Sequence, residues 1–391
     1  MRTQVGIIGA GPAGLFLSHL LRQEGVDSVV IEARSRPYIE SRIRAGVLEY
    51  GTVETLEELG LDRRLRQLGI VDNLLSIRFD GCELSLDLAG LTGKAITIYA
   101  QHEIVKDLVA ARVASGEPIF FETQAVAVND LDKARPVIKY LNTQDGNEGE
   151  IQCDFVAGCD GYHGIARTMF PQGTFETYDR AYDFAWLGVL ARSRPLERVT
   201  YSNSSRGFAL CSRRSPEVSR LYLQVEPNAA TTEWTEERFW DELHARMFDE
   251  AGTEIDEGEI FEWDVVRLRS FVTCPMQYGR VFLVGDAAHV VPPAGAKGLN
   301  LAVFDARILA RALGDFFRTG CRHGLDRYSE LCLRRVWKTI RFSMRLTGLL
   351  HKFPSETPLE RELQLAELRY IADSHAAQTS IAEQYVGLFH G

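Results

Sequence analysis

The sequence predicts an α/β fold: a Rossmann-like dinucleotide-binding domain with an inserted antiparallel β-sheet domain, followed by a helical C-terminal region. The first observation is a βαβ opening, in which TQVGII (3–8) and SVVIE (28–32) are strands around a helix that runs to about Glu24. The second is a pair of strands, in 151–161 and 279–286, that each lead into a Gly/Asp turn.

The third observation concerns the middle and the end of the chain. Residues 181–274 alternate apolar and polar side chains with a period of two, as strands do when one face of their sheet is covered. From Leu299 the pattern is helical nearly to the C-terminus, with breaks at Pro354 and Pro358.

These patterns set the expected domain boundaries. The dinucleotide-binding domain comprises residues 1–70, 98–178 and 275–345. The inserted β domain comprises residues 71–97 and 179–274, and the helical C-terminal region comprises residues 346–391.

Composition restricts the classes of partner. The 391 residues are 45% hydrophobic and carry a formal net charge of −10, which disfavours nucleic acid because phosphate contacts need a basic surface. There is no run of about 18 apolar residues, so no membrane association is expected. The seven cysteines form no CxxC pair and suggest buried thiols in a reducing, cytoplasmic compartment. No His, Cys and carboxylate set has the spacing of metal ligands, so no metal is expected.

A glycine-rich turn opens the chain. Gly9-x-Gly11-x-x-Gly14 follows a strand and begins a helix, so the first glycine permits the tight turn, the second lets the backbone approach a pyrophosphate and the third lets helix pack on strand. Glu32 ends the next strand, where an acid can accept hydrogen bonds from both ribose hydroxyls. A turn that binds nothing is the alternative. The spacing predicts a dinucleotide site without deciding between FAD and NAD.

The segment GDAAHVVPPAGAKGLN (285–300) brings a carboxylate, two prolines and further glycines to the end of a buried strand. Asp286 can accept hydrogen bonds from a sugar-like chain. Gly298 lets backbone N–H groups reach the edge of a ring, and Leu299 and Asn300 begin a helix whose dipole can stabilise negative charge on it. Residues 279–289 and the prolines after them resemble the flavin-containing aromatic hydroxylases, which favours FAD.

A hairpin at residues 201–225, with its turn near Ser215–Pro216, carries a candidate anion pocket. A loop from Ser215 to Ser219 would set Arg214 opposite Arg220 and Ser212 opposite Tyr222, so that a guanidinium and two hydroxyls converge on a carboxylate. Two alternatives stay open: a solvated polar face, or a register shifted by one residue that separates the set.

Over essentially its whole length the chain resembles the single-component flavoprotein aromatic hydroxylases that act on 4-hydroxybenzoate. The resemblance is carried by RIRAGVLE (42–49), RGFALCS (206–212), LRSF (268–271), GDAAHVVPPAGAKGLNLA (285–302) and YVGL (385–388). It implies a Rossmann-like FAD domain of the GR2 type, with a homodimer as the usual assembly.

The resemblance also implies roles for individual residues. Ser212, Arg214 and Tyr222 bind the substrate carboxylate, Tyr201 meets the phenol oxygen, Tyr385 relays its proton, and the Pro293 carbonyl lies beside the ring. Arg42, Arg44 and Gln101 join the glycine turn, Glu32 and Asp286 in the FAD site. Arg44, His163 and Arg269 receive the nicotinamide coenzyme.

The implied reaction uses NADPH or NADH to reduce FAD, after which O2 forms a flavin C4a-hydroperoxide that hydroxylates 4-hydroxybenzoate at carbon 3. The product is 3,4-dihydroxybenzoate. Two alternatives remain: another para-substituted benzoate, such as 4-aminobenzoate or 3,4-dihydroxybenzoate itself, or a flavin-fold binding protein without catalysis.

Three residues depart from the family pattern. Ala294 occupies a position where threonine is usual, which removes a hydroxyl near the ring. Asp72 falls where well-known members end their proton chain with histidine, so the proton exit route is open. Ala33 replaces a basic residue linked to the NADPH phosphate, although Arg34, Arg36 and Tyr38 stay within reach, so the coenzyme preference is open too.

Overall fold

A computed structural model describes residues 1–42, 46–252 and 254–388. Most of its strands run through segments rich in Val, Ile, Leu and Phe, as buried strands require. In chain order they are β1 (Arg2–Ile8), β2 (Ser28–Ile31), β3 (Val47–Leu48), β4 (Ile70–Asp72), β5 (Leu74–Phe79), β6 (Cys82–Asp87), β7 (Ile96–Ile98), β8 (Ile119–Phe120), β9 (Thr123–Asn129), β10 (Val137–Asn142), β11 (Glu148–Gly158), β12 (Glu176–Ala191), β13 (Val199–Asn203), β14 (Ala209–Ser215), β15 (Val218–Val225), β16 (Ile260–Cys274), β17 (Gln277–Tyr278), β18 (Val281–Leu283) and β19 (His289–Val290).

The helices bury one side against the sheets or each other. They are α1 (Pro12–Gln23), α2 (Arg36–Ser41), α3 (Tyr50–Glu58), α4 (Arg63–Leu68), α5 (Leu88–Thr92), α6 (Gln101–Ala114), α7 (Glu236–Met247), α8 (Gly298–Thr319), α9 (His323–Asp326), α10 (Tyr328–Leu350), α11 (Pro358–Asp373) and α12 (His375–Val386). Short 3₁₀ turns lie at Gly285–Ala287 and Pro293–Gly295, among others.

The first sheet has the strand order β17-β18-β11-β1-β2-β8, with β10 and β9 branching from β11. Strand β1 is parallel to both β2 and β11, and β11 is parallel to β18. The predicted βαβ opening and the α/β fold class are therefore confirmed. Because the carboxyl ends of parallel strands share one edge, the glycine turn after β1 and the Gly285–Asp286 turn after β18 lie at the same edge.

The second sheet has the order β19-β16-β12-β15-β14-β13-β5-β6. Its neighbours are antiparallel except for β5 and β13, which run parallel. The period-two pattern predicted an antiparallel sheet and could not show this pair, because β5 comes from an earlier part of the chain and enters the sheet separately. We propose the three-part division given above, which these two sheets and the C-terminal helices support.

The C-terminal helices pack on the second sheet. Phe342 and Leu346 of α10 and Tyr385 of α12 share a buried cluster with Tyr201 and Phe208 of the sheet. The C-terminal helices therefore contribute side chains to the buried core beside the second sheet.

The break that the sequence predicted at Pro358 is a helix boundary, because helix α11 begins at this residue. Thr357 and Glu360 form a capping box, in which the Thr357 side chain accepts the Glu360 N–H and the Glu360 carboxylate accepts the Thr357 N–H. No helix within the described ranges is long and apolar enough to cross a membrane.

Candidate active site

The glycine turn has the geometry that its spacing predicts. Gly9 has a φ of +105°, and a Cβ there would lie 2.4 Å from the Cys159 carbonyl oxygen. A Cβ on Gly14 would lie 2.0 Å from the Gly9 carbonyl oxygen, so helix α1 packs on the turn without space for a side chain. A Cβ on Gly11 would meet no protein atom within 4 Å. The backbone at Gly11 is thus the part of the turn that a phosphate can approach.

Glu32 closes this end of the site. One of its carboxylate oxygens accepts the Ala10 N–H and the other accepts the Arg34 N–H, both at 2.8 Å. Each oxygen keeps lone-pair capacity for a ribose hydroxyl. Arg42 is exposed just after α2, and Gln101 is the first residue of α6. Arg44 lies outside the described residues.

The turn after β18 presents Asp286 at an exposed position, with Gly285 at a φ of +63°. Asp305, which sequence reasoning missed, fixes this turn from behind: it accepts the Gly285 N–H at 3.0 Å and lies 2.7 Å from His289 Nε2. Burial alone would lower the pKa of His289, but the Asp305 charge and hydrogen bond raise it overall. A charged pair at this buried position holds the backbone that carries Asp286.

The start of α8 is the second open cradle. A Cβ on Gly298 would meet no protein atom within 4 Å, and the first N–H groups of a helix have no intrahelical partners. The Asn300 side-chain amide is occupied by contacts within the protein. Its oxygen accepts the Glu49 N–H and the Thr52 hydroxyl, and its nitrogen donates to the Val47 carbonyl. A cofactor contact at Leu299 or Asn300 therefore falls to the backbone.

Tyr201 and Tyr385 lie in the interior and contact each other. The Tyr201 hydroxyl donates to the Ala294 carbonyl at 2.9 Å and lies 2.9 Å from the Tyr385 hydroxyl. Since Tyr201 has one proton to give, Tyr385 is the donor between the two. Burial raises the pKa of Tyr201 to about 12, and burial followed by the proximity of Tyr201 raises that of Tyr385 further. The Pro293 carbonyl, which is predicted to lie beside the substrate ring, accepts the Ala296 N–H, whereas Tyr201 donates to the neighbouring Ala294 carbonyl.

A buried ion cluster behind the tyrosines was missed by sequence reasoning. Lys297 Nζ donates to Glu49 Oε1 and to the Tyr385 carbonyl, both at 2.7 Å, and Arg335 donates to Glu49 Oε2 at 2.8 Å. Burial lowers the pKa of Lys297, although the Glu49 charge acts in the opposite direction. The cluster fixes the backbone of Tyr385 and places positive charge beside the tyrosine pair.

Asp72 lies near the same pair. It is buried, and its carboxylate accepts a hydrogen bond from Arg213 at 3.1 Å. Its charge contributes to the raised pKa of Tyr385. The Asp72–Arg213 ion pair is therefore near enough to Tyr385 for the Asp72 charge to act on its hydroxyl.

The predicted register of the hairpin is wrong by two residues. Ser212 lies opposite Arg220 and Leu210 lies opposite Tyr222, because a bulge between Arg213 and Ser215 shortens the loop. A two-residue shift keeps Ser212 on the face of Arg220 and Tyr222, whereas Arg214 lies within the bulge, where the alternation of faces is interrupted. The Ser212 hydroxyl donates to the Arg220 carbonyl at 3.0 Å, so its oxygen and not its proton faces further partners in this arrangement.

The cationic end of the pocket forms nonetheless. Arg220 Nε donates to the Tyr222 hydroxyl at 2.9 Å, which leaves the Tyr222 proton to donate elsewhere. Burial, followed by the repulsion of Arg220, lowers the pKa of Arg214 to about 10. Two guanidinium groups that repel each other in a partly buried site are stabilised by a bound anion.

Two of the residues expected at the nicotinamide site, Arg269 and His163, both lie against Tyr162, and the third, Arg44, is outside the described residues. Arg269 forms an ion pair with Asp179 at 3.1 Å and lies over the ring of Tyr162, to whose hydroxyl it donates. The Tyr162 and His163 rings are in edge contact, and His163 is exposed. Tyr162 was not predicted, since one aromatic residue in a turn carries no specific signal. Among the described residues no group of three or more His, Cys, Asp or Glu could hold a metal ion.

Comparison with known proteins shows the family to which the chain belongs. A family model described as FAD binding domain matches residues 2–343. The chain is 46% identical over 390 residues to p-hydroxybenzoate hydroxylase of Acinetobacter baylyi, covering 99% of this chain and 96% of that protein. It is 25% identical over 385 residues to 6-hydroxy-3-succinoylpyridine 3-monooxygenase of Pseudomonas putida, covering 91% of each.

Solved structures agree on the fold. The crystal structure of p-nitrophenol 4-monooxygenase from Pseudomonas putida superposes with a TM-score of 0.84 at 20% identity, over 99% of both chains. A ternary complex of aklavinone-11 hydroxylase with FAD and aklavinone superposes with a TM-score of 0.74, over 89% of this chain and 69% of that one. The glycine turn, Glu32, Asp286 and the start of α8 supply the donors, acceptors and open space that FAD requires.

The two kinds of glycine in the turn predict separable effects. Gly14→Ala places a methyl group against the Gly9 carbonyl and should lower the free energy of unfolding of the apoprotein by about 1–3 kcal/mol. Gly11→Ala, at a φ of −72°, should leave that stability unchanged but weaken FAD binding roughly tenfold or more, because its methyl occupies the phosphate approach. Denaturant unfolding and quenching of FAD fluorescence measure the two effects. Wild-type FAD affinity in Gly11→Ala would contradict the assignment.

Proposed function

The chain belongs to the FAD-binding family of flavoprotein aromatic monooxygenases, and from this premise we propose that it hydroxylates 4-hydroxybenzoate at carbon 3 to give 3,4-dihydroxybenzoate. The observation that carries the substrate is that two features adjoin one buried cluster, which contains Tyr201, Tyr222 and Tyr385. The features are a cationic end at Arg214 and Arg220 and a hydroxyl relay at Tyr201 and Tyr385. A flat acid with a phenol opposite its carboxylate matches both.

The balanced reaction consumes 4-hydroxybenzoate, NAD(P)H, a proton and O2, and yields 3,4-dihydroxybenzoate, NAD(P)+ and water. Bound FAD, once reduced by the nicotinamide coenzyme, supplies the activated oxygen that enters the ring. The protein binds the carboxylate, orients the ring, keeps water out and accepts the phenol proton, since a phenolate ring is richer in electrons than a phenol ring.

At the carboxylate end we propose that Arg214 provides the charge and that Tyr222 donates its free proton. Ser212 lies on the same face as Tyr222, and we propose that its hydroxyl leaves the Arg220 carbonyl and donates to the carboxylate when the substrate binds. Arg220 supports them indirectly, because its Nε–H holds the Tyr222 oxygen and so directs the Tyr222 proton outward.

At the phenol end we propose a proton relay through Tyr201 and Tyr385. Substrate binding reverses the direction of the hydrogen bond between their hydroxyls. The phenol O–H donates to Tyr201, which then releases the Ala294 carbonyl and donates to Tyr385. Both tyrosines have a raised pKa, so they pass the proton on without ionising at neutral pH. Tyr385 gives up its own proton in turn, and we propose that this proton passes toward the Asp72 carboxylate, whose charge acts on Tyr385 and which accepts a hydrogen bond from Arg213.

This relay also separates the candidate substrates. The amine of 4-aminobenzoate has no proton acidic enough for two neutral hydroxyls to remove, so a phenol fits better. Chromatography and mass spectrometry of the product from purified protein, FAD and NAD(P)H test the proposal against 4-aminobenzoate and 3,4-dihydroxybenzoate. Coenzyme consumption that yields only hydrogen peroxide from 4-hydroxybenzoate would refute it.

We propose that NADPH and NADH are both accepted, bound near Arg269, His163 and Tyr162. Ala33 brings no charge to the adenosine end, and Arg36 is paired with Glu40 at 2.7 Å, which leaves Arg34 as the nearby cation for a 2′-phosphate. The ratio of kcat/KM for the two coenzymes measures this preference, and a ratio above about 100 in either direction would contradict it.

We propose a cytoplasmic location. All seven cysteines are free, and four of them, Cys153, Cys159, Cys211 and Cys332, are buried. Burial raises the pKa of each of these thiols, which keeps them unreactive. Subcellular fractionation tests the location.

We propose that Arg214→Ala raises the KM for 4-hydroxybenzoate roughly 100-fold or more, because one charged partner is removed from a desolvated carboxylate. The rate of flavin reduction at saturating substrate should change far less. Arg206→Ala, at an exposed arginine near the start of the same hairpin, is the matched control. An unchanged KM in Arg214→Ala would remove the assignment.

Tyr385→Phe should lower the rate of hydroxylation roughly 100-fold at neutral pH while leaving substrate affinity nearly intact. The loss should shrink as pH rises toward the phenol's own pKa, since solvent then removes the proton that the relay no longer carries. Single-turnover hydroxylation across pH measures this, with Tyr178→Phe, at an exposed tyrosine, as the control. Equal loss of hydroxylation and flavin reduction would contradict the relay.

We propose a homodimer that forms through helix α11. Leu359, Leu363 and Tyr370 are 68%, 60% and 57% exposed and lie on one face of the helix, at i, i+4 and i+11. A self-complementary stripe of this kind suits a two-fold interface with a second copy of the chain.

Leu363→Asp should convert the dimer into a monomer, because a charge at the centre of the stripe is buried without a partner in the interface. Sedimentation velocity measures the change. Leu68→Asp, at an equally exposed leucine of α4, is the matched control. A Leu363→Asp variant that sediments like the unaltered protein would place the interface elsewhere.

A further inference from the structure

We propose that His351 is a positioning residue for the substrate: it holds the Trp186 indole, and through the aromatic layer of Trp186 and Phe208 it sets the separation of Tyr222 from Tyr201. The inference rests on the proposed function, because it concerns the two ends of the same substrate pocket. His351 touches neither tyrosine in this arrangement, so it acts through the residues between them.

The hydrogen bonds of His351 fix both its position and its tautomer. The residue is fully buried at the end of α10, where its Nδ1 lies 2.9 Å from the Thr347 carbonyl. Its Nε2 lies 2.7 Å from Trp186 Nε1, which can only donate. The ring is therefore neutral, with its proton on Nδ1, and every polar atom of both rings is satisfied. Burial lowers the pKa of His351 to about 3, so the ring stays neutral over the working range of pH.

The two hydrogen-bonded rings form one flat layer against which the pocket rests. The Trp186 and His351 rings are 5° from parallel, and Phe208 stacks on both, at centroid distances of 4.8 and 4.2 Å. Phe184 stacks on His351 at 4.7 Å. The distances between these four rings are fixed by van der Waals contact, because protein interiors are close-packed and leave no space into which a ring could shift.

Each substrate-facing tyrosine touches one member of this layer. Tyr222, at the carboxylate end, packs against Trp186 at 5.0 Å, and Tyr201, at the phenol end, packs against Phe208 at 6.1 Å. A Cβ on Gly188 would lie 2.7 Å from the Tyr222 ring, so Tyr222 is confined on this strand between Trp186 and the bare backbone. A shift of Trp186 therefore moves Tyr222 and changes the length of the pocket.

Hydrogen bonds of Gln224 also connect the end of α10 to the second sheet beside the Trp186, Phe208 and His351 rings. The Gln224 side-chain oxygen accepts the Phe208 N–H at 3.0 Å and the Lys352 N–H at 3.1 Å. His351 thus transmits the position of the C-terminal helices to the pocket, and a smaller residue there would leave the Trp186 N–H buried without an acceptor and the layer free to relax.

The test compares two acids that differ in length. We expect His351→Leu to reduce the ratio of kcat/KM for 4-hydroxybenzoate over 4-hydroxyphenylacetate, which is one methylene longer, at least tenfold. His351→Gln should retain most of the discrimination, because its amide can accept from Trp186 and donate to Thr347. Trp186→Phe, which keeps a ring but removes the donor, should shift the ratio in the same direction. His323→Leu, at an exposed histidine, is the control.

A role limited to stability would lower kcat/KM for both acids by one factor, and that result in both His351→Leu and Trp186→Phe would overturn the proposal. Dissociation constants for the two acids, from the change in flavin absorbance on binding, should show the same loss of discrimination without turnover. The proposed function is tested separately by the unaltered protein: if that protein prefers another acid, the comparison is made with that acid and its longer homologue.

Discussion

The hydrogen bond between the Tyr201 and Tyr385 hydroxyls is the interaction on which the rest of this site depends. An aromatic ring becomes reactive toward an electrophilic oxygen when its phenol loses a proton, yet the same site must exclude water. We propose that the two buried hydroxyls in series meet both requirements, because such a pair can conduct a proton without admitting solvent. Their raised pKa values keep both neutral before and after the transfer.

The charged side chains around this pair of tyrosines come from different segments of the fold. Lys297, from the turn before α8, is bound to Glu49 and to the Tyr385 backbone, while Asp72, from β4, is bound to Arg213 of the second sheet. Arg214 and Arg220 add positive charge at the opposite end. Such buried ion pairs add little to stability by themselves, but breaking one leaves an uncompensated charge. We therefore propose that the Lys297–Glu49 and Asp72–Arg213 pairs hold the two tyrosines in position rather than add to the stability of the fold.

Local patterns predicted the parts of the site that depend on short stretches of chain. The spacing of Gly9, Gly11 and Gly14 gave the turn, since each glycine answers a steric need within a few residues. The hairpin was predicted from its alternation, but its register was not, because the bulge between Arg213 and Ser215 leaves no trace in a two-residue period. Contacts between distant segments were beyond such patterns: Lys297 with Glu49, Asn300 with Val47 and His351 with Trp186 become neighbours only through the fold.

We propose that the protein removes the phenol proton from its bound substrate. An ultraviolet difference titration of 4-hydroxybenzoate bound to the oxidised, FAD-loaded protein measures this most directly. We expect a phenol pKa below that of the free acid, because the relay and the nearby cations favour the phenolate. A bound phenol pKa equal to or above that of the free acid would contradict it.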